Sequence, residues 1–203
     1  MLSALLFSVF FTSAPSAAAV SQPSVPDSLS SPTFVPTVKV GKVLERYSGH
    51  IYHIYNRLRL AYPEMTSVAV YGELFGGYYP HPDVAPDPVG WPVQKGIWYA
   101  PGHDFYAFDI YVFTKGGGFF LPVMEANALF SDAGLLYAWN RFVGHLDDCL
   151  AYPHVFPTAL PAELGLPPIE GNLCEGIVLK PLVPIYLPDG SRIAVKVKRT
   201  TAT

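Results

Sequence analysis

The chain has 203 residues, long enough for one domain with a substantial core. Half of it is hydrophobic and only 14% is charged, which excludes intrinsic disorder of the chain as a whole. A formal net charge of −3 carries no overall basic signal, so any contact with nucleic acid has to come from a local patch.

Residues 1–19, "MLSALLFSVFFTSAPSAAA", hold an apolar run followed by small residues ending in Ala17-Ala18-Ala19. That is the pattern of a signal-peptide core and cleavage site, although no Lys or Arg precedes the run. The run is far short of the ~20 residues that a membrane-spanning helix needs. Two readings stand for this stretch: a targeting segment, secretory or organellar, or a spurious start. Residues 20–38, rich in Ser and Pro, read as a linker, and a folded domain is expected over 39–203.

Within that domain, Val43, Leu44, Tyr47, Ile51, Ile54, Tyr55 and Leu58 recur at three- and four-residue spacings. This predicts an amphipathic helix stopped by Pro63. "SVAVYGEL" (67–74) reads as a buried strand and "DFYAFDIYVF" (104–113) as a second. The glycines of "TKGGGFF" turn the second strand into a hairpin partner, and "EANALFSDAGLLYAW" follows as a short helix. A Pro-rich loop crosses 153–168. "CEGIVLKPL" and "SRIAVKVKR" read as two further strands, with a turn at Pro188-Asp189-Gly190 between them. No repeat is present. The two cysteines, Cys149 and Cys174, are too few for a disulfide framework or a zinc site, and both read as reduced core thiols. The pattern is α+β with mixed antiparallel pairing.

Three segments place charge on or beside an apolar strand. Glu73 stands between the run "SVAVY" and the Gly76-Gly77 break. Glu175 and Lys180 bracket "GIVL" and, being an odd number of positions apart, face opposite ways in a regular strand. Lys196 and Lys198 share one face against Val195 and Val197, and two like charges there call for an anion such as a polyphosphate. Taken singly, each has a plain structural reading. Acids are common at strand ends, "KVK" is a frequent solvated edge, and Phe108-Asp109 is a core aromatic followed by a polar cap.

Their order changes that reading. "YGELFGG…YPHP", "DFYAFDI", "EGIVLKP" and "AVKVKR" together resemble the nucleotidyltransferase motifs of the RNA ligase family, of the RNA-editing-ligase type, over about residues 40–199. The resemblance implies an ATP-grasp-like adenylyltransferase domain with antiparallel sheets, lacking its N-terminal strands. It implies ATP and Mg2+ as cofactors and RNA as partner, while no motif specifies an oligomeric state. By the same resemblance, Glu73 contacts the adenylate ribose and Phe108 stacks on adenine. Lys196 and Lys198 grip the phosphates, Lys198 in a catalytic role, and Lys180 lies near phosphate or RNA. Glu175 is catalytic and supports the metal.

One motif departs from the pattern. The family's nucleophile is a lysine in a K-x-D/H-G arrangement upstream of the "GEL" motif. The two lysines before Glu73 are Lys39 and Lys42, and neither has a glycine three residues later. Both stand at the start of the expected helix, away from the strand-to-turn junction where a desolvated nucleophile belongs. The expectation is therefore an RNA ligase domain that joins RNA ends through enzyme- and RNA-adenylates, represented by a chain that does not adenylylate itself. Good preservation of the other motifs favours a longer parent protein. The alternative is a non-catalytic ATP- or RNA-binding module derived from such a ligase.

Overall fold

The computed structural model describes residues 6–12, 33–36 and 41–199. Its elements in chain order are β1 (Leu6–Thr12), β2 (Thr33–Pro36), α1 (Gly41–Ala61), β3 (Met65–Gly76), β4 (His103–Thr114) and β5 (Gly117–Phe120). They continue with α2 (Val123–Asp132), α3 (Leu146–Ala151), α4 (Leu160–Glu163), β6 (Gly176–Leu179) and β7 (Val195–Lys198). One sheet has the order β2-β1-β3-β4-β5 and the second is the β6-β7 pair, so the chain is α+β. Two compact units divide it: residues 1–73 with 107–137, and residues 74–106 with 138–203.

In the first unit the expected helix forms almost as read. Val43, Tyr47, Ile51, Ile54, Tyr55 and Leu58 are all buried, each fully buried aliphatic contributing about 1.5–3 kcal/mol. The helix ends where Tyr62 N donates to Leu58 O, directly before Pro63, whose ring cannot continue the turn. Tyr62 then packs edge-on against Phe119 at 5.3 Å and donates its hydroxyl to Glu125 Oε1 at 3.1 Å, tying the helix end to β5 and α2. Burial first, and then that acceptor, push the Tyr62 hydroxyl above the usual phenol range. At the other end of α2, His53 Nε2 donates to Asp132 Oδ2 at 2.8 Å. That bond is the main reason the exposed Asp132 carboxyl sits below its usual range.

Gly49 lies exposed in the middle of α1, and an added Cβ there meets nothing within 4 Å. Gly49→Ala is expected to stabilise the chain by about 0.5–1 kcal/mol, because alanine loses less backbone entropy on entering a helix. A urea titration checks this: the midpoint should rise at unchanged m. A lower midpoint contradicts it.

The sequence predicted no strand before α1, yet β1 and β2 are both there. β1 runs antiparallel to β3 from Leu6 opposite Glu73 to Thr12 opposite Ser67, and β2 pairs with β1 from Val9 opposite Pro36. "LFSVFFT" has the aromatic and β-branched composition of a strand, and a short apolar run carries no periodicity to separate a strand from a signal core. Leu44 was expected on the buried helix face; its side chain lies outside the described residues. Among the described residues, no helix is long and apolar enough to cross a membrane.

In the second unit, β3 ends at Gly76-Gly77, both in the left-handed region at φ +88° and +87°. A Cβ on Gly76 would collide with Gly102 O and one on Gly77 with Trp91 O, so the "FGG" break is a close backbone crossing. Gly77 N donates to Gly102 O and Val93 N to Gly76 O, fastening the 90–103 segment there. Phe75 packs edge-on against Tyr99 and Tyr106. The Pro-rich loop contains a short helix, α4, with Pro161 in its first turn, where its missing N–H costs nothing. The cysteines are both free, but only Cys174 is buried. Cys149 is half-exposed on α3, an element with no buried residue, so its expected place in the core is wrong.

Candidate functional site

The four candidates of the second unit come together on one hairpin. β6 and β7 pair antiparallel with Gly176 opposite Lys198 and Val178 opposite Lys196. Paired residues share a face, so Lys196, Lys198 and Val178 lie on one side, all exposed, while on the other Ile177, Leu179 and Val197 are half-buried and Val195 is exposed. Lys180 follows β6 directly, outside the ladder. The alternation in "KVK" predicted that Lys196 and Lys198 share a face.

Gly176 makes this pairing possible. Its φ is +143°, and a Cβ there would strike the Val197 carbonyl oxygen. The glycine of "EGIVLK" therefore lets β7 approach, and it leaves no side chain across from Lys198. Glu175 extends the ladder, its carbonyl accepting from Arg199 N at 2.9 Å. Among the described residues, no ion pair neutralises Glu175, Lys196 or Lys198.

Asn172 sets the approach to this hairpin and was missed from sequence. It is buried, accepts from Trp98 N at 3.0 Å and donates to Trp98 O at 2.6 Å, so its side chain copies a strand pairing. Its own carbonyl accepts from Thr158 N, and Pro157 bridges Leu173. The signal that could have found it is an amide flanked by apolar residues just before "EGIVLK". Beyond the ladder, Tyr186 bridges Arg192 around the expected turn, where Ser191 donates from both N and Oγ to Asp189 Oδ1. Those two bonds hold the Asp189 carboxyl below its usual range.

In the first unit, Glu73 and Phe108 lie on neighbouring strands, β3 and β4. Glu73 is half-buried and shares its face with Tyr71, whose ring meets Phe120 at 5.5 Å. Phe120 in turn packs against Tyr111, directly opposite it in the ladder. Read singly, Phe108-Asp109 was a core aromatic followed by a polar cap, and the structure reverses this. Phe108 is half-buried and Asp109 is 3% exposed. The half-exposed positions of β4 run Asp104, Tyr106, Phe108 and then Tyr111, Phe113, because Asp109 and Ile110 are both buried. That shift moves Phe108 onto the half-open set.

Of the two lysines upstream, Lys42 lies in the first turn of α1, and Lys39 lies outside the described residues. Among the described residues no group of three or more His, Cys, Asp or Glu could hold a metal ion. Glu175 supplies one carboxylate to such a site. That fits a magnesium ion that brings water and phosphate oxygens as its other ligands, and not an all-protein cage.

Comparison with known proteins adds the following. A match to the RNA ligase family runs over residues 24–198. The mitochondrial RNA-editing ligase 1 of Trypanosoma brucei brucei is 37% identical over 132 residues, covering 54% of this chain and 28% of that protein. The mitochondrial RNA-editing ligase 2 of Trypanosoma brucei brucei (strain 927/4 GUTat10.1) is 37% identical over 131 residues, covering 56% of this chain and 32% of that protein. The chain therefore spans less than a third of the length of these curated relatives.

Proposed function

The chain belongs to the RNA ligase family, and on that premise we propose that it is an adenylyltransferase-type domain that binds ATP and serves the joining of RNA ends. The observation that carries this reading is the β6–β7 hairpin, whose register sets Lys196 and Lys198 on one exposed face with no carboxylate among the described residues paired to either. Such a face attracts a polyphosphate, and lysine ammonium groups offset the charge that grows on phosphate oxygens in the transition state. Lys180, just beyond β6, takes the further role near phosphate or RNA. Glu175 would hold Mg2+ delivered with ATP, and the ion would supply charge neutralisation on the phosphates.

Glu73 and Phe108 take the ribose and adenine roles. A half-buried carboxylate can accept from a ribose hydroxyl, and a half-open aromatic can stack a base for about 1–3 kcal/mol. The transfer itself needs a lysine nitrogen to attack the α-phosphate and expel pyrophosphate. Lys42, within a helical turn, does not have the K-x-D/H-G setting for that step. The expected result with labelled ATP and Mg2+ is therefore bound nucleotide at equilibrium and no covalent protein–AMP band on a denaturing gel. A stable protein–AMP adduct would sink the claim that this chain does not adenylylate itself. Absence of ATP binding would sink the nucleotide reading altogether.

A further inference from the structure

Two buried amide side chains of the second unit tie the end of β3 to the start of the β6–β7 hairpin. Gln94 donates from Nε2 to Leu74 O at 2.9 Å, and its neighbour Val93 donates from N to Gly76 O at 3.0 Å. Four residues further on, Asn172 holds both polar main-chain groups of Trp98. Residues 93–98 are therefore a strap, fastened at one end to the last residues of β3 and at the other to residue 172. Ile97, inside the strap, is buried, so the segment is packed as well as bonded.

Residue 172 also sets where the hairpin begins. Asn172 O accepts from Thr158 N and Cys174 N donates to Phe156 O, so 172–174 runs beside 156–158. Immediately afterwards the partner changes: Glu175 O accepts from Arg199 N, and Gly176 opens the ladder with β7. The direction in which β6 leaves, and with it the placing of Lys196 and Lys198 on β7, follows from how 172–174 is held. Its main chain holds it to 156–158, and the Asn172 side chain holds it to Trp98. An asparagine suits that task, because its one side chain carries an acceptor for an N–H and a donor for a C=O. A leucine of similar size would leave both groups of Trp98 without that partner.

Resting on the reading of this hairpin as a polyphosphate face, we propose that Asn172 and Gln94 are positioning residues for that face. They act on the hairpin, not on the phosphates. Asn172 fixes the line on which β6 starts, and Gln94 anchors the far end of the strap that Asn172 grips. The lysine face is then set before the anion arrives, so binding does not have to order it. Loss of either amide should therefore appear in anion affinity as well as in stability.

The test is calorimetric titration of the full chain with inorganic tripolyphosphate and Mg2+, which probes the phosphate face without a base. Asn172→Leu should lower the affinity about tenfold, the equivalent of one buried hydrogen bond left unmade. Asn172→Asp keeps the acceptor for Trp98 N but sets a carboxylate oxygen against Trp98 O. Burial and that carbonyl raise such a carboxyl above its usual range, so protonation at lower pH restores a donor. Relative to wild type, its affinity should be low at about pH 8 and recover toward about pH 5.5. Asn172→Leu should stay low at both, which separates the lost bond from an added charge. Tyr79→Phe removes another hydrogen bond of the same unit, from the buried Tyr79 hydroxyl to Pro167 O, with neither partner in the strap. It should bind within about twofold of wild type.

Wild-type affinity in Asn172→Leu overturns the proposal. An equal loss in Tyr79→Phe does so too, since it would mark a general loosening of the unit, and so does an Asn172→Asp protein that fails to recover at low pH. If Asn172→Leu does not fold, Gln94→Met takes its place, and wild-type binding there counts against the proposal. A wild type that binds no tripolyphosphate overturns the polyphosphate reading together with this one. A wild type that binds it, with Asn172→Leu unimpaired, overturns the positioning role alone.

Discussion

Replacing both Lys196 and Lys198 by alanine is expected to weaken ATP binding by about a hundredfold or more, since each charge-assisted hydrogen bond contributes about 1.5–3 kcal/mol. The expectation follows from the hairpin. Val178 places a short apolar side chain across from Lys196, Gly176 places none across from Lys198, and on the opposite face Ile177, Leu179 and Val197 are half-buried. The loss should be visible by calorimetric titration with ATP, and it should shrink as salt rises in the wild type. Lys180→Ala, just beyond the ladder, should cost less than either. Val178→Ala, on the same face without charge, should change affinity less than about twofold. If the double variant binds ATP as wild type does, the phosphate role of this face is wrong, whatever the family.

Much of this arrangement could be read from the residues, and the failures have physical causes. The α1 spacing survives as burial because a helix of 21 residues repeats its signal five times over its length, so noise at one position does not hide the face. The "KVK" alternation also survives, because period two is a property of one strand. What lies between strands did not survive. That Val178 stands across from Lys196 and Gly176 across from Lys198 is set by register, which no single strand encodes. Phe108 and Asp109 exchanged their expected places because two consecutive positions of β4 turn inward, and a regular alternation predicts one. Asn172 was passed over because its work is done on the backbone of Trp98, far away in sequence. β1 was invisible as a strand because its composition answers equally to a signal core.

At Gly176 collision and conformation act together. Gly176→Ala should destabilise the β6–β7 pair by about 2–5 kcal/mol, the sum of a residue forced into a disfavoured backbone region and a methyl driven into a filled space. Two features coincide there, a φ of +143° and a Cβ position that falls on the Val197 carbonyl. Gly165 offers the comparison. It has φ +69°, but an added Cβ meets nothing within 4 Å, so Gly165→Ala should carry the conformational cost alone, about 1–2 kcal/mol. The difference between the two variants is then the collision together with the larger backbone cost at φ +143°, a region that only glycine enters readily. It should appear locally, as faster amide exchange at Val197 and Arg199, before it appears in global melting, because a two-stranded ribbon opens more easily than a core. ATP affinity should fall with it, since the lysine row exists only while β7 is held against β6. A Gly176→Ala protein with wild-type exchange at Arg199, whose N–H is bonded to the Glu175 carbonyl, would mean that the glycine is not what lets the strands close. Fast exchange with undiminished ATP binding would instead separate the nucleotide from the hairpin.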